Sequence, residues 1–309
     1  MPKTAIYGQR SNWYKRMKVY NYGENRPGKP CVLLLGYFDG VHVGHRALIA
    51  RAKALSAEYG CETGITTFYD AKAGGQIYLF EERLSLFEKS GIDFVCAAHF
   101  DEAFRKISGG DFLETLAGSV GVCAFVCGED YTFGNGAACG VKELEAFCAR
   151  KGIRLLAEKL VEENGEKAAA TRAKKLLDEG DVASLAKLLG EPYFIKGKVS
   201  TEGRHIGRRI GFPTANLHLA PGKYPLKCGV YAVTVHIGGK SYRGIANYGA
   251  RPTFGDERVV LEVYADGYAG DLYGKEITVC FDFYLREIRK FSSGEELSRQ
   301  LKSDLEKIR

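Results

Sequence analysis

The sequence contains no long run of apolar residues. None of its apolar stretches approaches the roughly 20 residues that a membrane-spanning helix requires, which excludes an integral helical membrane protein. The opening residues, Met-Pro-Lys-Thr-Ala-Ile-Tyr-Gly-Gln-Arg, also lack the apolar core of a signal peptide. We therefore predict a cytoplasmic protein without a membrane partner.

The sequence also lacks a second cysteine pair that would complete a zinc site. Cys123 and Cys127 are four residues apart, but no matching pair follows, so we predict no metal there. The 9 cysteines are an odd number, and most lie in apolar settings, as Cys96 and Cys280 do. In a reducing cytosol such residues are expected to be free thiols of the core rather than disulfides.

A run of exposed aromatic side chains for stacking nucleic-acid bases is absent as well. The net charge of +6 fits phosphate-rich ligands, although it would also fit weak affinity for nucleic acid. A basic β-barrel that binds nucleic acid through Arg204, Arg208 and Arg209 is therefore an alternative. We favour small phosphate-bearing partners and predict no nucleic-acid partner.

Glycines and arginines dominate residues 203–217, Gly-Arg-His-Ile-Gly-Arg-Arg-Ile-Gly-Phe-Pro-Thr-Ala-Asn-Leu. Gly203, Gly207 and Gly211 recur every four residues, which allows backbone amides to approach a ligand closely. The arginines between them, such as Arg208, present planar forks suited to phosphate oxygens. Thr214 and Asn216 fall on one side of an extended segment, where neutral oxygens can hold Mg²⁺. The pattern favours a phosphate loop leading into a metal site; the alternative is a basic surface turn.

A strand–turn–helix unit occupies residues 31–59. The apolar run at 31–35 predicts a strand buried on both faces, 36–40 is a turn, and 45–59 reads as an amphipathic helix. Such a unit opens a doubly wound α/β sheet, whose ligands bind at the carboxyl ends of the strands. His42 and His45 flank a glycine at the start of this helix, where anions are favoured.

The rhythm of strands and helices changes near residue 190. Alternating strands and helices continue to residue 189, and short strands with turn signals follow, including a two-residue hairpin at Gly238-Gly239. We therefore predict a doubly wound, Rossmann-like α/β domain at 1–189 and a small antiparallel β-barrel domain at 190–309. An amphipathic helix at 293–308 closes the chain, with Ser293 and Glu296 forming a capping box.

Two motifs carry a family resemblance. The segment 203–217 resembles the riboflavin kinase signature Gly-Arg-x-x-Gly-Phe-Pro-Thr-Ala-Asn, and Gly-Tyr-Phe-Asp-Gly-Val-His-Val-Gly-His at 36–45 resembles the nucleotidyltransferase signature of bacterial FAD synthetases. In this order they resemble the bifunctional bacterial riboflavin kinase/FMN adenylyltransferase family. The resemblance implies that riboflavin is phosphorylated with Mg-ATP and that FMN is adenylylated to FAD with release of pyrophosphate.

The resemblance also implies roles for individual residues. It makes Glu262 the general base toward the ribityl hydroxyl of riboflavin, and it makes His42 and His45 contacts of the ATP phosphates; a rim glutamate in water is the alternative for Glu262. Mg²⁺ would be held by Thr214 and Asn216. Residues assigned to ATP or its phosphates are Gly36, Phe38, Asp39, Gly44, Thr171, Arg172, Lys174, Gly203, Gly207, Arg208, Gly211 and Pro213. Residues assigned to the flavin are Asp130, Asn247, Arg251 and Arg286, with a turn-capping role as the alternative for Asp130.

Two departures from the family pattern fall in the N-terminal half. Thr-Phe-Tyr-Asp-Ala-Lys-Ala-Gly-Gly at 67–75 replaces the usual Thr-Phe-Glu-Pro-His-Pro, and Ala-Ala-Thr-Arg-Ala-Lys at 169–174 replaces Ser-Ser-Thr-x-Ile-Arg. The second change removes two hydroxyls and exchanges a guanidinium for Lys174, which weakens phosphate binding, although Arg172 could partly substitute. A second hypothesis follows: riboflavin kinase alone, with an N-terminal half that binds nucleotide or flavin in a regulatory role.

Overall fold

The computed structural model describes residues 17–70, 74–159, 162–163, 166–200, 212–251 and 256–308. At residues 162, 163, 166, 167, 250, 251 and 256–258 it describes the backbone alone. The chain folds into two compact units. The first comprises Met1–Ala73 and Leu79–Ala168, and the second comprises Gly74–Tyr78 and Ala169–Arg309.

The first unit is built on a parallel sheet with helices. Its strands are β1 (Lys18–Asn21), β2 (Cys31–Leu34), β3 (Glu62–Phe68), β4 (Phe94–Ala98), β5 (Val122–Gly128), β6 (Arg154–Glu158), and the short pair β7 (Glu162–Glu163) and β8 (Glu166–Lys167). Its helices are α1 (Val43–Tyr59), α2 (Phe80–Lys89), α3 (Glu102–Arg105), α4 (Gly109–Val120) and α5 (Val141–Lys151), with a 3₁₀ turn at Asn135–Ala137.

The sheet has the order β1-β4-β3-β2-β5-β6, and its strands are parallel. All four residues of β2 are buried, as expected for a strand covered on both faces. From β2 the chain first adds strands on one side and then, from β5 onward, on the other. The order therefore reverses between β2 and β5, which is where ligands bind in doubly wound sheets. The predicted Rossmann-like fold is confirmed.

The second unit is an antiparallel barrel with three helices. Its helices are α6 (Ala170–Glu179), α7 (Val182–Leu189) and α8 (Gly294–Glu306), and its strands are β9 (Phe194–Lys198), β10 (Ala215–Leu217), β11 (Gly229–Ile237), β12 (Lys240–Arg251), β13 (Asp256–Ala265) and β14 (Glu276–Arg286). The order is β10-β13-β12-β11-β14-β9. A bridge between Val199 and Leu217 joins the two outer strands, so the six-stranded barrel is nearly closed, as the sequence predicts.

Two apolar layers hold the barrel. Side chains that alternate along the strands, such as Tyr231, Leu261 and Phe281, fill the interior and are fully buried. On the outer face, α8 packs Leu305 against Val230 in a second buried cluster. Ser293 caps α8 by accepting a hydrogen bond from the Glu296 amide, as the sequence predicts. The Glu296 carboxylate accepts from the Ser292 amide rather than from the Ser293 amide, so only the first half of the predicted capping box forms.

A short segment from the first half of the chain belongs to the second unit. The Gln76 amide donates to the Gly222 carbonyl at 2.7 Å, and the Tyr224 amide donates to the Gln76 carbonyl at the same distance. The ring of Tyr78 packs 4.7 Å from that of Phe194. Because these contacts join residues that are far apart in sequence, no local pattern reveals them.

Across the described ranges, no helix is long and apolar enough to cross a membrane.

Candidate functional site

The turn after β2 is held by the end of the neighbouring strand. Thr66 accepts a hydrogen bond from the Gly36 amide at 3.1 Å, and the Thr67 hydroxyl donates to the Tyr37 carbonyl at 2.7 Å. A Cβ atom at Gly36 would lie 2.7 Å from the Phe38 ring, so only glycine fits without displacing that ring. The turn therefore has a fixed shape at the carboxyl edge of the sheet.

Backbone strain is concentrated in this turn. Phe38 and Val41 have φ values of 55° and 43°, which lie in the left-handed region that non-glycine residues rarely adopt. Both side chains are buried, as is Asp39, so tertiary packing over-determines the conformation. Strain of this kind clusters at ligand-binding sites.

His42 and His45 lie together at the first turn of α1. His42 is the N-cap, and its Nδ1 accepts a 3.4 Å hydrogen bond from the His45 amide. The two rings stack with centroids 3.7 Å apart, and the Phe38 ring lies 4.7 Å from His45. A Cβ atom at Gly44 would lie 3.1 Å from His42 Nδ1, so glycine gives the ring its room.

Burial keeps both imidazoles neutral. Desolvation lowers the pKa of His42 to about 4, and burial together with the neighbouring His42 lowers the pKa of His45 well below its usual value. Because His42 Nδ1 accepts a hydrogen bond, its proton is assigned to Nε2, which leaves an N–H donor for a ligand. Within the described residues, the buried Nδ1 of His45 has no hydrogen-bond partner. Both rings can therefore offer hydrogen bonds to an anion.

The depressed pKa of His42 predicts a loss of stability in acid. The unfolded histidine titrates near 6.5 and the folded one near 4, so the unfolded state binds more protons between these values. Lowering the pH from 7 to 5 should therefore cost about 2 kcal/mol at this residue alone. Urea unfolding of the nucleotide-free protein at both pH values measures this loss.

The matched variant for that measurement is His42→Asn. Asparagine also caps helices well but does not titrate, so the variant should lose this part of the pH dependence. An unchanged difference between pH 7 and pH 5 in the variant would show that His42 is not its source.

Asp130 follows β5 and so lies at the same edge of the sheet as the turn after β2. The two strands are neighbours, at the point where the strand order reverses. Asp130 is exposed, and its carboxylate accepts no hydrogen bond from the described residues. The turn at 128–131 is closed instead by the Tyr131 amide, which donates to the Gly128 carbonyl at 3.1 Å. The predicted contact of Asp130 with nucleotide or flavin and its turn-capping alternative both remain predictions.

The second candidate site is a single row of side chains across five strands of the barrel. Asn216 on β10 and Asn247 on β12 both pair directly with Glu262 on β13. Asn247 in turn pairs with Val230 on β11, which pairs with Arg286 on β14. Directly opposed residues in antiparallel strands project from the same face, so the register brings together residues predicted separately.

Thr214 lies beside this row. Its hydroxyl donates a 2.5 Å hydrogen bond to Glu262 Oε1, so its own lone pairs remain available to a cation. Thr214, Asn216 and Glu262 are all half-buried and offer oxygen atoms of the kind that Mg²⁺ prefers. Within the described chain, no cluster of three or more His, Cys, Asp or Glu residues is placed to hold a metal. The neutral oxygens of Thr214 and Asn216, together with phosphate oxygens of a ligand, nonetheless suit Mg²⁺.

Arg286 is anchored to the C-terminal helix. Its Nε and Nη2 atoms each lie 2.9 Å from Oδ2 of the fully buried Asp304, and Nη1 donates to the Glu287 carbonyl. Gln300 donates to the other oxygen of Asp304 at 2.7 Å. Arg286 thus ties α8 to the end of β14, and its predicted flavin contact remains a prediction.

The predicted phosphate residues of α6 differ in their surroundings. Thr171 and Arg172 lie in the first turn, where helix amides favour anions. Lys174 donates a 2.8 Å hydrogen bond to the Gly75 carbonyl and lies 4.9 Å from the centre of the Tyr224 ring. The lysine that replaces the family's arginine therefore binds the segment Gly74–Tyr78, which belongs to the same unit as α6.

Several predicted residues cannot be placed. Gly203, Gly207, Arg208 and Gly211 lie outside the described residues, as do the other arginines of the nucleic-acid alternative, and Arg251 is described by its backbone alone. Pro213 is exposed and follows Phe212, whose ring packs 5.2 Å from that of Tyr264.

Arg83 is a residue of the first site that sequence analysis missed. It is fully buried on α2, donates to the Tyr37 carbonyl and to the Phe68 carbonyl at 3.3 and 2.6 Å, and also donates to the Thr67 hydroxyl. Arg83 therefore joins the turn after β2 to the end of β3. The available signal was an arginine preceding the buried Leu84, on the apolar side of an amphipathic helix.

Comparisons with known proteins match each half of the chain to a family model. A family model described as FAD synthetase matches residues 24–172, and one described as riboflavin kinase matches residues 189–309. Proteins named bifunctional riboflavin kinase/FMN adenylyltransferase are similar along most of their length. The one from Pseudomonas fluorescens is 32% identical, covering 89% of this chain and 91% of the relative. The one from Bacillus subtilis is 33% identical, with coverage of 88% and 90%.

A solved structure has the same fold. A crystal structure described as a macrolide-efflux protein from Streptococcus pneumoniae superposes with a TM-score of 0.83 at 29% identity, covering 94% of this chain and 97% of that one. The fold and the two family models together define a protein with a nucleotidyltransferase-like α/β unit and a kinase-like barrel. With relatives above 30% identity over nearly the whole chain, this protein belongs to the bifunctional riboflavin kinase/FMN adenylyltransferase family.

Proposed function

We propose that this chain phosphorylates riboflavin to FMN with Mg-ATP and adenylylates FMN to FAD with release of pyrophosphate. The matches to both family models support two activities and do not favour the kinase-only alternative. We further propose that the activities divide near residue 190, with 1–189 serving adenylyl transfer and 190–309 serving phosphorylation. The cytoplasmic location remains a prediction.

The observation that carries the kinase proposal is Glu262, flanked by Asn216 and Asn247 on both neighbouring strands. We propose that its carboxylate accepts the proton of the ribityl hydroxyl as that oxygen attacks the γ-phosphorus of ATP. Thr214, through its 2.5 Å hydrogen bond, holds one carboxylate oxygen of Glu262 in place. Phosphoryl transfer depends mainly on positioning and charge stabilisation. A base held in a fixed position contributes to the positioning.

Mg²⁺ fits the oxygens of Thr214 and Asn216, and we propose that these two residues hold it together with phosphate oxygens of ATP. When bound, the ion neutralises charge on the phosphates being separated. Arginines and glycines of 203–211 are proposed to cover those phosphates. Asn247 and Arg286, which belong to the row of side chains across the barrel, are proposed to contact the flavin. Arg251, at the end of β12, is proposed to contact it as well.

Adenylyl transfer is proposed to occur at the edge formed by the turns after β2 and β5. An FMN phosphate oxygen attacks the α-phosphorus of ATP, and pyrophosphate leaves without a covalent enzyme intermediate. His42 and His45, neutral and desolvated, donate hydrogen bonds to phosphate oxygens as charge develops on them. Gly36, Phe38, Asp39 and Gly44 shape the nucleotide site, and Asp130 is proposed to contact the nucleotide or flavin. Thr171, Arg172 and Lys174 are the proposed phosphate contacts on α6.

Chromatography of the flavins tests the proposal directly. The protein is incubated with riboflavin, ATP and Mg²⁺, and in parallel with FMN, ATP and Mg²⁺. We expect FMN and FAD in the first reaction and FAD in the second. FMN alone in the first, with FMN unconverted in the second, would establish the kinase-only alternative, and unchanged riboflavin would refute the kinase assignment.

A further inference from the structure

Two thiols are in contact at the amino-terminal edge of the parallel sheet. Cys61 immediately precedes β3, and Cys123 is the second residue of β5. Their Sγ atoms lie 3.6 Å apart. Both are half-buried, so a small oxidant in solution can reach them. The sites proposed above lie at the opposite ends of these strands or in the barrel and do not use either thiol.

Neither cysteine is fixed by the regular ladder of the sheet. Cys61 lies between Gly60, which ends α1, and the first residue of β3. In β5 the register with β2 shifts, so that Cys123 is an extra residue between two paired positions. Such a bulge redirects a side chain. The backbone at Cys123 can therefore adjust as the sulfurs close to the roughly 2 Å of a disulfide.

A third thiol nearby is a poorer partner. Cys31 is fully buried, and its Sγ lies 3.5 Å from the Val120 carbonyl, to which it donates. The Cys123 thiol contacts the Cys31 carbonyl at 3.2 Å rather than its sulfur. From this arrangement we propose that Cys61 and Cys123 form a reversible disulfide when the protein meets hydrogen peroxide.

The chemistry balances in two steps. The sulfur of Cys61 attacks one peroxide oxygen, which breaks the O–O bond and yields a sulfenic acid and water. The sulfur of Cys123 then attacks the sulfenic sulfur, forms the S–S bond and releases a second water. Burial raises the pKa of Cys123 to about 11, so this thiol stays protonated at neutral pH and is assigned the second, resolving step. A dithiol reductant reverses the bond.

The bond would join β3 to β5, the two strands that flank β2. It closes a long loop of chain, which restricts the unfolded state more than the folded one. We expect the midpoint of thermal unfolding to rise by roughly 5 °C or more after oxidation. The disulfide is thus a redox-dependent brace on the sheet that carries the proposed adenylyl-transfer site.

Peptide mapping of the full chain tests the proposal. The protein is treated with hydrogen peroxide, alkylated under denaturing conditions, digested and examined by mass spectrometry, and thermal unfolding is followed in parallel. We expect a peptide pair joined at Cys61 and Cys123, lighter by two hydrogen atoms and separated by dithiothreitol. The Cys228→Ser variant, which removes an exposed thiol elsewhere, should keep both the link and the thermal shift.

Cys61→Ser and Cys123→Ser should each abolish the link and the thermal shift. The mapping on the unmodified sequence is decisive even if a variant folds poorly. Alkylation of Cys61 and Cys123 to the same extent with and without peroxide would overturn the proposal. A link to Cys31, a link between two molecules, or oxidation of either sulfur to a sulfinic acid without any link would overturn it as well.

Discussion

Replacing Glu262 by glutamine is expected to lower the rate of riboflavin phosphorylation by about 10²- to 10⁴-fold, the range typical of a lost general base. Glutamine keeps an oxygen that can accept the hydrogen bond from Thr214, so the strands around it should remain paired. What it loses is the ability to take up a proton. FMN formation from riboflavin and ATP, followed by chromatography, measures the effect.

The controls separate chemistry from folding. Conversion of added FMN to FAD by the same variant should be unchanged, because His42 and His45, the proposed donors in adenylyl transfer, belong to the first unit. Glu276→Gln removes a carboxylate from the same barrel, where it pairs with Lys196 at 3.0 Å, and should leave both activities intact. Full phosphorylation by Glu262→Gln would rule out this residue as the base.

The local parts of both sites could be predicted from the sequence. The histidines around Gly44 follow a buried strand and open a helix, and those signals are contained within a few residues. The structure adds what surrounds them: Phe38 in a strained backbone conformation and Arg83 behind the turn. An arginine in an amphipathic helix has no pattern that distinguishes a buried clamp from a solvated side chain.

The barrel site depends on register, which short patterns do not encode. Asn216, Glu262 and Asn247 lie far apart in sequence and meet only because β10, β13 and β12 pair in one alignment. Strand β10, at Ala215–Leu217, is too short for an alternating pattern of apolar and polar residues to predict it. The family resemblance, rather than periodicity, predicted these residues.

Lys174 illustrates a departure whose meaning changed with the structure. In the sequence it is a weaker substitute for a phosphate-binding arginine. In the folded chain its ammonium group donates to the Gly75 carbonyl, in the segment that replaces the family's Glu-Pro-His-Pro. One hydrogen bond therefore joins the two segments that depart from the family pattern, 67–75 and 169–174. Local sequence could not show this because the partners are separated by a large part of the first unit.

Replacing His45 by alanine is expected to reduce FAD formation from FMN by about 10²- to 10³-fold, the loss typical of one donor to a developing charge. The ring of His45 stacks at 3.7 Å on His42 and contacts Phe38, so its removal deletes one hydrogen-bond donor and loosens the other. Alanine favours helix, so α1 should persist. FMN formation from riboflavin should be unaffected.

The matched control is His236→Ala, an exposed histidine of the barrel whose ring bonds the Ser241 hydroxyl at 2.9 Å. It should leave FMN and FAD formation unchanged. If His45→Ala lowered FMN and FAD formation from riboflavin together while the protein stayed folded, the assignment of the two activities to separate sites would be wrong. If neither activity changed, the histidine pair would have a structural role and no part in adenylyl transfer.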